Sequence, residues 1–134
     1  MRAGDDTYTP GLLISRAVSI VGARRAAAFV VDKGENNCDT LRLFKRFSHT
    51  DEDDTTAAEK SERLRQYVIP CLIDGTDRVI EVPGSRGVAG KSFVLVFLAR
   101  DVTGVRGVTA MLVEGVSDVE ARRRLAALQR VMSE

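Results

Sequence analysis

Residues 93–98, Phe-Val-Leu-Val-Phe-Leu, carry no polar side chain. A strand with one wet face alternates apolar and polar residues. An unbroken run of this kind must be covered on both faces, and it belongs at the centre of a sheet. After Ala99-Arg100-Asp101 comes a Val102-Thr103-Gly104 turn, then a second β-branched-rich run from Val105 to Glu114. Two such runs around a short glycine-ended segment predict a β-hairpin spanning Ser92 to Glu114. The rest of the chain has to cover or extend this pair.

With 134 residues, the chain fits a single domain, 1–134, expected to form the N-terminal part of a larger signalling or transport protein. Hydrophobic residues at 44% and charged residues at 29% are ordinary for a soluble globular domain. A net charge of +1 gives no overall field towards nucleic acid or an acidic membrane surface. No apolar run approaches the ~20 residues of a membrane span. Acidic and polar residues stand where a signal peptide would place its apolar core, so a cytoplasmic location is expected. Cys38 and Cys71 lack metal-type or redox-type spacing and read as free structural thiols.

Thr9-Pro10 opens a helix, with Thr9 as cap and Pro10 in the first turn; Gly22 ends it after Val21. Only Ser15, Arg16 and Ser19 interrupt its apolar surface. That is more than one sheet face requires, so a second partner is expected, either a helix of the same chain or another subunit. Arg25–Asp32 reads as a strand despite three alanines. After the turn at Lys33–Asn37, Thr40–Phe47 alternates, with Leu41, Leu43 and Phe47 on one side and Arg42 and Arg46 on the other. Ser48–Thr56 is an acidic, polar stretch expected to be a mobile loop. From Ala57 to Leu72 the pattern is helical, with Leu64, Tyr67, Val68 and Cys71 on one face and a stop or kink expected near Pro70. Asp74–Asp77 is a turn. Arg78–Val82, halted by Pro83-Gly84, suits an edge strand. Ser117 and Glu120 have capping-box spacing, and Ala121, Leu125, Leu128 and Met132 form one apolar helical face.

Three constellations invite functional readings. Ser85–Ser92 resembles a phosphate-binding loop, but Ser85 stands where its first glycine belongs and a strand follows instead of a helix. A cationic loop carrying Arg86 and Lys91 is the expectation. His49, Asp51, Glu52, Asp53 and Asp54 form neither a tetrahedral zinc set nor a calcium loop, and read as a solvated acidic segment. Arg122–Arg124 and Arg130 lack aromatic neighbours for base stacking and read as a solvated helix face. No convergent nucleophile, acid and base is visible, so an enzyme is not expected.

The order helix, two strands, helix, three strands, helix resembles the GAF domain over nearly the whole chain. The likeness rests on the opening helix through Val21, the hairpin Ala26–Asp32 with Leu41–Phe47, the middle helix, and Phe93–Leu98. It continues with the glycine-led step Gly107-Val108 and the closing helix that includes Leu125–Met132. PAS-like and profilin-like domains share this layout and stay open on the residues alone. The resemblance implies an α+β fold: a five-stranded antiparallel sheet, the N- and C-terminal helices packed on one face, and a middle helix and loops on the other. Many such domains bind cyclic nucleotides, tetrapyrroles or small metabolites, and others only dimerise. The segment Thr76–Ser92 is short for a deep nucleotide pocket, and neither cysteine matches a bilin site.

The expected pocket residues are Phe29, Phe44, Phe47, Tyr67, Arg86, Lys91 and Val96. The expected homodimer interface is Leu12, Leu13, Ala17, Ile20, Leu125, Leu128 and Met132. The expectation is thus a sensory or regulatory domain with a small-molecule ligand and no cofactor, metal, nucleic acid or membrane insertion. A ligand-free interaction scaffold is the alternative.

Overall fold

The computed structural model describes residues 10–33, 39–48, 53–84, 87, 89–102 and 104–133. Helix α1 (Pro10–Val21) leads into strands β1 (Arg25–Lys33) and β2 (Asp39–Ser48). Helices α2 (Asp54–Arg63) and α3 (Arg65–Asp74) follow, then β3 (Arg78–Val82), β4 (Lys91–Asp101), β5 (Gly104–Val116) and α4 (Asp118–Met132). The five strands form one sheet in the order β2-β1-β5-β4-β3, antiparallel at every pairing. The apolar hairpin therefore lies inside the sheet, and the short β3 is an edge, as their residues demand. Thr9, the turn at 34–37, His49, Asp51, Glu52, Ser85 and Arg86 lie outside the described residues.

Alternate residues of the buried strands divide between two cores. Ala26, Ala28, Phe93, Leu95, Phe97, Met111 and Val113 face α1 and α4, meeting Ile14, Ala17, Val21, Ala121, Leu125 and Leu128. Ala27, Phe29, Val94, Val96, Leu98, Val108 and Ala110 face the other way, beneath Leu64, Val68 and Cys71. Residues 93–98 are buried on both sides, each apolar side chain contributing about 1.5–3 kcal/mol. The three alanines of β1 are fully buried. Tertiary burial overrides their helix propensity, because small side chains let helices approach β1 from both sides.

Two expectations are corrected. Between Ala28 and Phe29 the β1–β2 register shifts, so Phe29 pairs with Leu43 while Ala28 pairs with Lys45. Phe44 is the extra residue of a β-bulge, half exposed at 51%. The bulge reverses the alternation: Leu41 and Leu43 face the α3 side, whereas Phe47 packs on the α1–α4 side. It also brings Arg46 within 3.8 Å of Asp54 at the start of α2.

The middle helix begins earlier than Ala57 and breaks at Leu64, not at Pro70. Asp53 caps α2 by accepting the Thr56 amide at 2.7 Å, and this bond holds its carboxyl below the usual range. At Leu64 the hydrogen bonds tighten to i→i−3 spacing: Leu64 N donates to Ser61 O, and Tyr67 N to Leu64 O. Pro70 lies inside α3, which continues to a left-handed cap at Gly75 (φ 69°).

Other local signals act as their chemistry requires. Gly22 takes φ 66° and its amide closes α1 onto Val18 O. Ser117 Oγ accepts the Glu120 amide at 3.1 Å. The reciprocal half of the box is replaced: the Glu120 carboxylate instead receives Arg124 at 2.9 Å and Arg123 at 3.1 Å, which lowers its pKa. Among the described residues of α1, Ile14, Ala17 and Val21 share one core with Ala121, Leu125 and Leu128 of α4. Arg124 reaches across to donate to Val21 O at 2.9 Å.

Candidate functional site

After the break at Leu64, α3 packs against β4 and β5, and a space remains between it and the ends of β1, β2 and β5. A half-open groove of about 610 Å³ lies there. Val31 of β1, Thr40 and Leu41 of β2, and Val105 of β5 line one side. Ile69, Leu72 and Ile73 of α3 line the other, with Arg65 at the first turn of that helix. Ile69 is 46% and Ile73 79% exposed, so α3 presents apolar side chains to solvent as well as to the sheet. A volume of this size falls in the range of small-molecule sites, and the lining is apolar with few polar groups, as such sites usually are.

Arg65 and Thr40 supply the polar groups of the described lining. The Arg65 guanidinium is held in one pose from three directions. Its Nε and Nη2 donate to Glu62 at 2.8 and 3.1 Å, a forked ion pair. Nη1 donates to the Leu41 carbonyl at 2.7 Å, and the plane lies 4.9 Å above the centre of the Phe29 ring. The pairing lowers the Glu62 pKa and raises that of Arg65. A five-donor fork so held keeps the second hydrogen of each terminal nitrogen for an incoming acceptor. The described lining holds no carboxylate, histidine or thiol, so it offers no group that exchanges a proton near neutrality.

The predicted pocket residues do not converge. Phe29 lies beneath Arg65, and Val96 is fully buried on the same face. Tyr67 is half-buried beside that core. Phe47 is on the opposite face, Phe44 is at the bulge, and Arg86 is outside the described residues. Lys91 is exposed, 3.6 Å from Glu81. Gly90 precedes it with φ 82°, where a Cβ would sit 3.1 Å from the Gly115 backbone. Strand β4 begins at Lys91, so no helix N-terminus follows this segment as it would in a phosphate loop.

Of the predicted interface residues, Ala17, Leu125 and Leu128 are buried within the chain. Ile20 and Met132 are half-buried at the border of the same core. Leu12 and Leu13 belong to α1, their side chains outside the described set.

What the sequence reading missed was Val31, Thr40, Leu41, Arg65, Ile69, Leu72, Ile73 and Val105 as a set. One signal was available: once Leu64, Val68 and Cys71 cover the sheet, Ile69 and Ile73 remain apolar on a different side of the helix. Cys71 is inert packing. Burial pushes its thiol upward in pKa, and Sγ donates to Tyr67 O at 3.3 Å. Three arginines of α4 pair within the helix, Arg122 with Asp118 at 2.7 Å and Arg123 and Arg124 with the shared Glu120.

The antiparallel sheet thus carries the terminal helices on one face and a groove beneath a middle helix on the other. No protein-family model matches the chain, and no curated protein is similar to it in sequence. Solved structures are similar in fold. The GAF domain/HD domain protein from Geobacter sulfurreducens matches with a TM-score of 0.53 at 15% identity, covering 99% of this chain and 97% of that one. The GAF-B domain of DevS from Mycobacterium smegmatis gives 0.46 at 16% identity, with 91% of each chain covered. The first likeness places this chain on the GAF fold.

Proposed function

We propose that this chain is a non-enzymatic GAF-like sensory or regulatory domain. Its site is the groove beneath α3, and its ligand is a small, elongated, mainly apolar molecule with one hydrogen-bond acceptor placed against Arg65. The observation that carries this reading is the half-open apolar groove with a single pre-oriented guanidinium in its lining. Association with a second copy belongs to the proposal and falls to the outward faces of α1 and α4, since Ala17, Leu125 and Leu128 are enclosed. So does a cytoplasmic location. Among the described residues no helix is long and apolar enough to cross a membrane.

The test is a thermal-shift panel of small metabolites, fatty acids and cyclic nucleotides. A true ligand adds apparent stability as RT ln(1 + [L]/Kd). The shift should appear with the native protein and vanish in Ile69→Glu, which puts a charge into the groove. Sedimentation at high concentration tests the association, and a strict monomer counts against it. A second reading, a ligand-free interaction scaffold, draws on the exposure of Ile69 and Ile73 and on the close packing of Phe29 and Val96. It expects no shift from any small molecule.

A further inference from the structure

Helices α3 and α4 lie on opposite faces of the sheet, yet one carboxylate joins them around the β3 edge. Asp77 ends the connection Gly75–Asp77 between α3 and β3, its side chain only 10% exposed. Oδ1 accepts the Leu98 amide at 2.9 Å, beyond the Arg78–Val96 rung where the β3–β4 ladder stops. Oδ2 accepts Gln129 Nε2 of α4 at 2.9 Å. The α3 side is tied to the same place: Arg100 Nη2 donates to the Gly75 carbonyl at 2.5 Å, and its Nη1 lies 3.8 Å from Asp77 Oδ1. Arg78 pairs with Asp74 in the last turn of α3. Ile73 and Leu72, the far wall of the groove, immediately precede this anchor.

We propose that Asp77 is a positioning residue that transmits the state of the groove to the second half of α4. For its input, the relay rests on the reading of the groove as a ligand site. Strand β4 is paired on both sides and buried, so it resists displacement. A shift of the α3 end is therefore passed through the connection to the Asp77 backbone, and the carboxylate pivots about Oδ1. Asp77 remains on the rigid Leu98 amide, so the adjustable bond is the exposed one to Gln129. A displacement of roughly half an ångström takes a 2.9 Å bond towards the edge of useful geometry. The first half of α4 has its own tether, Arg124 to Val21 O on α1. Leu125 and Leu128 hold the middle of α4 in the core, so the part that responds when α3 moves is the last turn, from Gln129 onward. The bistable element is the Asp77–Gln129 contact, made or broken.

Hydrogen exchange on a double-mutant cycle tests this without any ligand. Leu72→Ala loosens α3 at the groove, and Gln129→Ala removes an exposed contact from α4. Amides of 93–98 report global opening, so the readout is exchange at 126–132 relative to them. The relay expects Leu72→Ala to speed relative exchange at 126–132 several-fold in the native background and hardly at all with Gln129→Ala. Equal acceleration in both backgrounds, or none in the native one, overturns it. A second arm adds anilinonaphthalene sulfonate, an apolar anion suited to the lining and to Arg65. Bound probe should alter exchange at 126–132 only when Gln129 is present, and an equal change without Gln129 again overturns the relay. If the probe fails to bind, the groove reading falls while the Leu72–Gln129 cycle still decides the relay.

Discussion

The two faces of the sheet are built from alternate residues of the same strands, yet their helices cover them differently. Beneath α1 and α4 the side chains of Ile14, Ala17, Val21, Ala121 and Leu128 are at most 2% exposed. Beneath α2 and α3 an equally apolar floor is covered by a helix that breaks at Leu64, and Ile69 and Ile73 meet solvent. The strands alone do not decide where a site forms. It forms where the covering helix is too short or too bent to reach. Both faces bury their apolar floor, and beneath α3 a groove of about 610 Å³ remains open.

Substitutions can break that contrast. Leu128→Ala opens a void in the sealed core and should cost about 2–5 kcal/mol in chemical denaturation. A loss below about 1 kcal/mol would mean that the α1–α4 face is loosely packed. Asp77→Ala leaves the Leu98 amide without its acceptor and releases Gln129, for an expected loss of about 1–3 kcal/mol. Ser117→Ala removes the α4 cap and should cost about 1 kcal/mol, read by the same denaturation series. Ile73→Ala, at 79% exposure, should lie within about 0.5 kcal/mol of the parent while weakening probe binding in the groove. A large stability loss there would show the groove to be closed in solution.

Acid should act on the open face through Glu62. Its folded pKa is depressed by Arg65, so the ion pair contributes fully above the ordinary glutamate range. That contribution fades as pH falls through the lowered value. Probe binding at neutral and acidic pH, compared between the parent and Glu62→Gln, checks this. The acid-sensitive part of binding should be absent in the variant.

Much of the architecture was legible because its signals were strong and local. Residues 93–98 could only be central, Pro83-Gly84 kept β3 short, and Ser117 marked the start of α4. The bulge at Phe44 was not legible. Nothing in Leu41–Phe47 distinguishes a regular alternation from one with an extra residue, and the pairing with β1 decides it. The groove beneath α3 was not legible either. Large apolar side chains go first to the core, as Phe29 does, so aromatic residues alone do not mark a groove. The groove depends on where α3 crosses the sheet, which its hydrophobic pattern alone does not fix.

The irregularity at Phe44 bears on how molecules of this protein behave at high concentration. An even outer strand offers a row of unmet amides and carbonyls on which a stranger's backbone can zip. Here that row is interrupted near its middle and flanked by Arg42, Lys45 and Arg46. Deleting Phe44 would straighten the rim, and the expected penalty is fibrous precipitation.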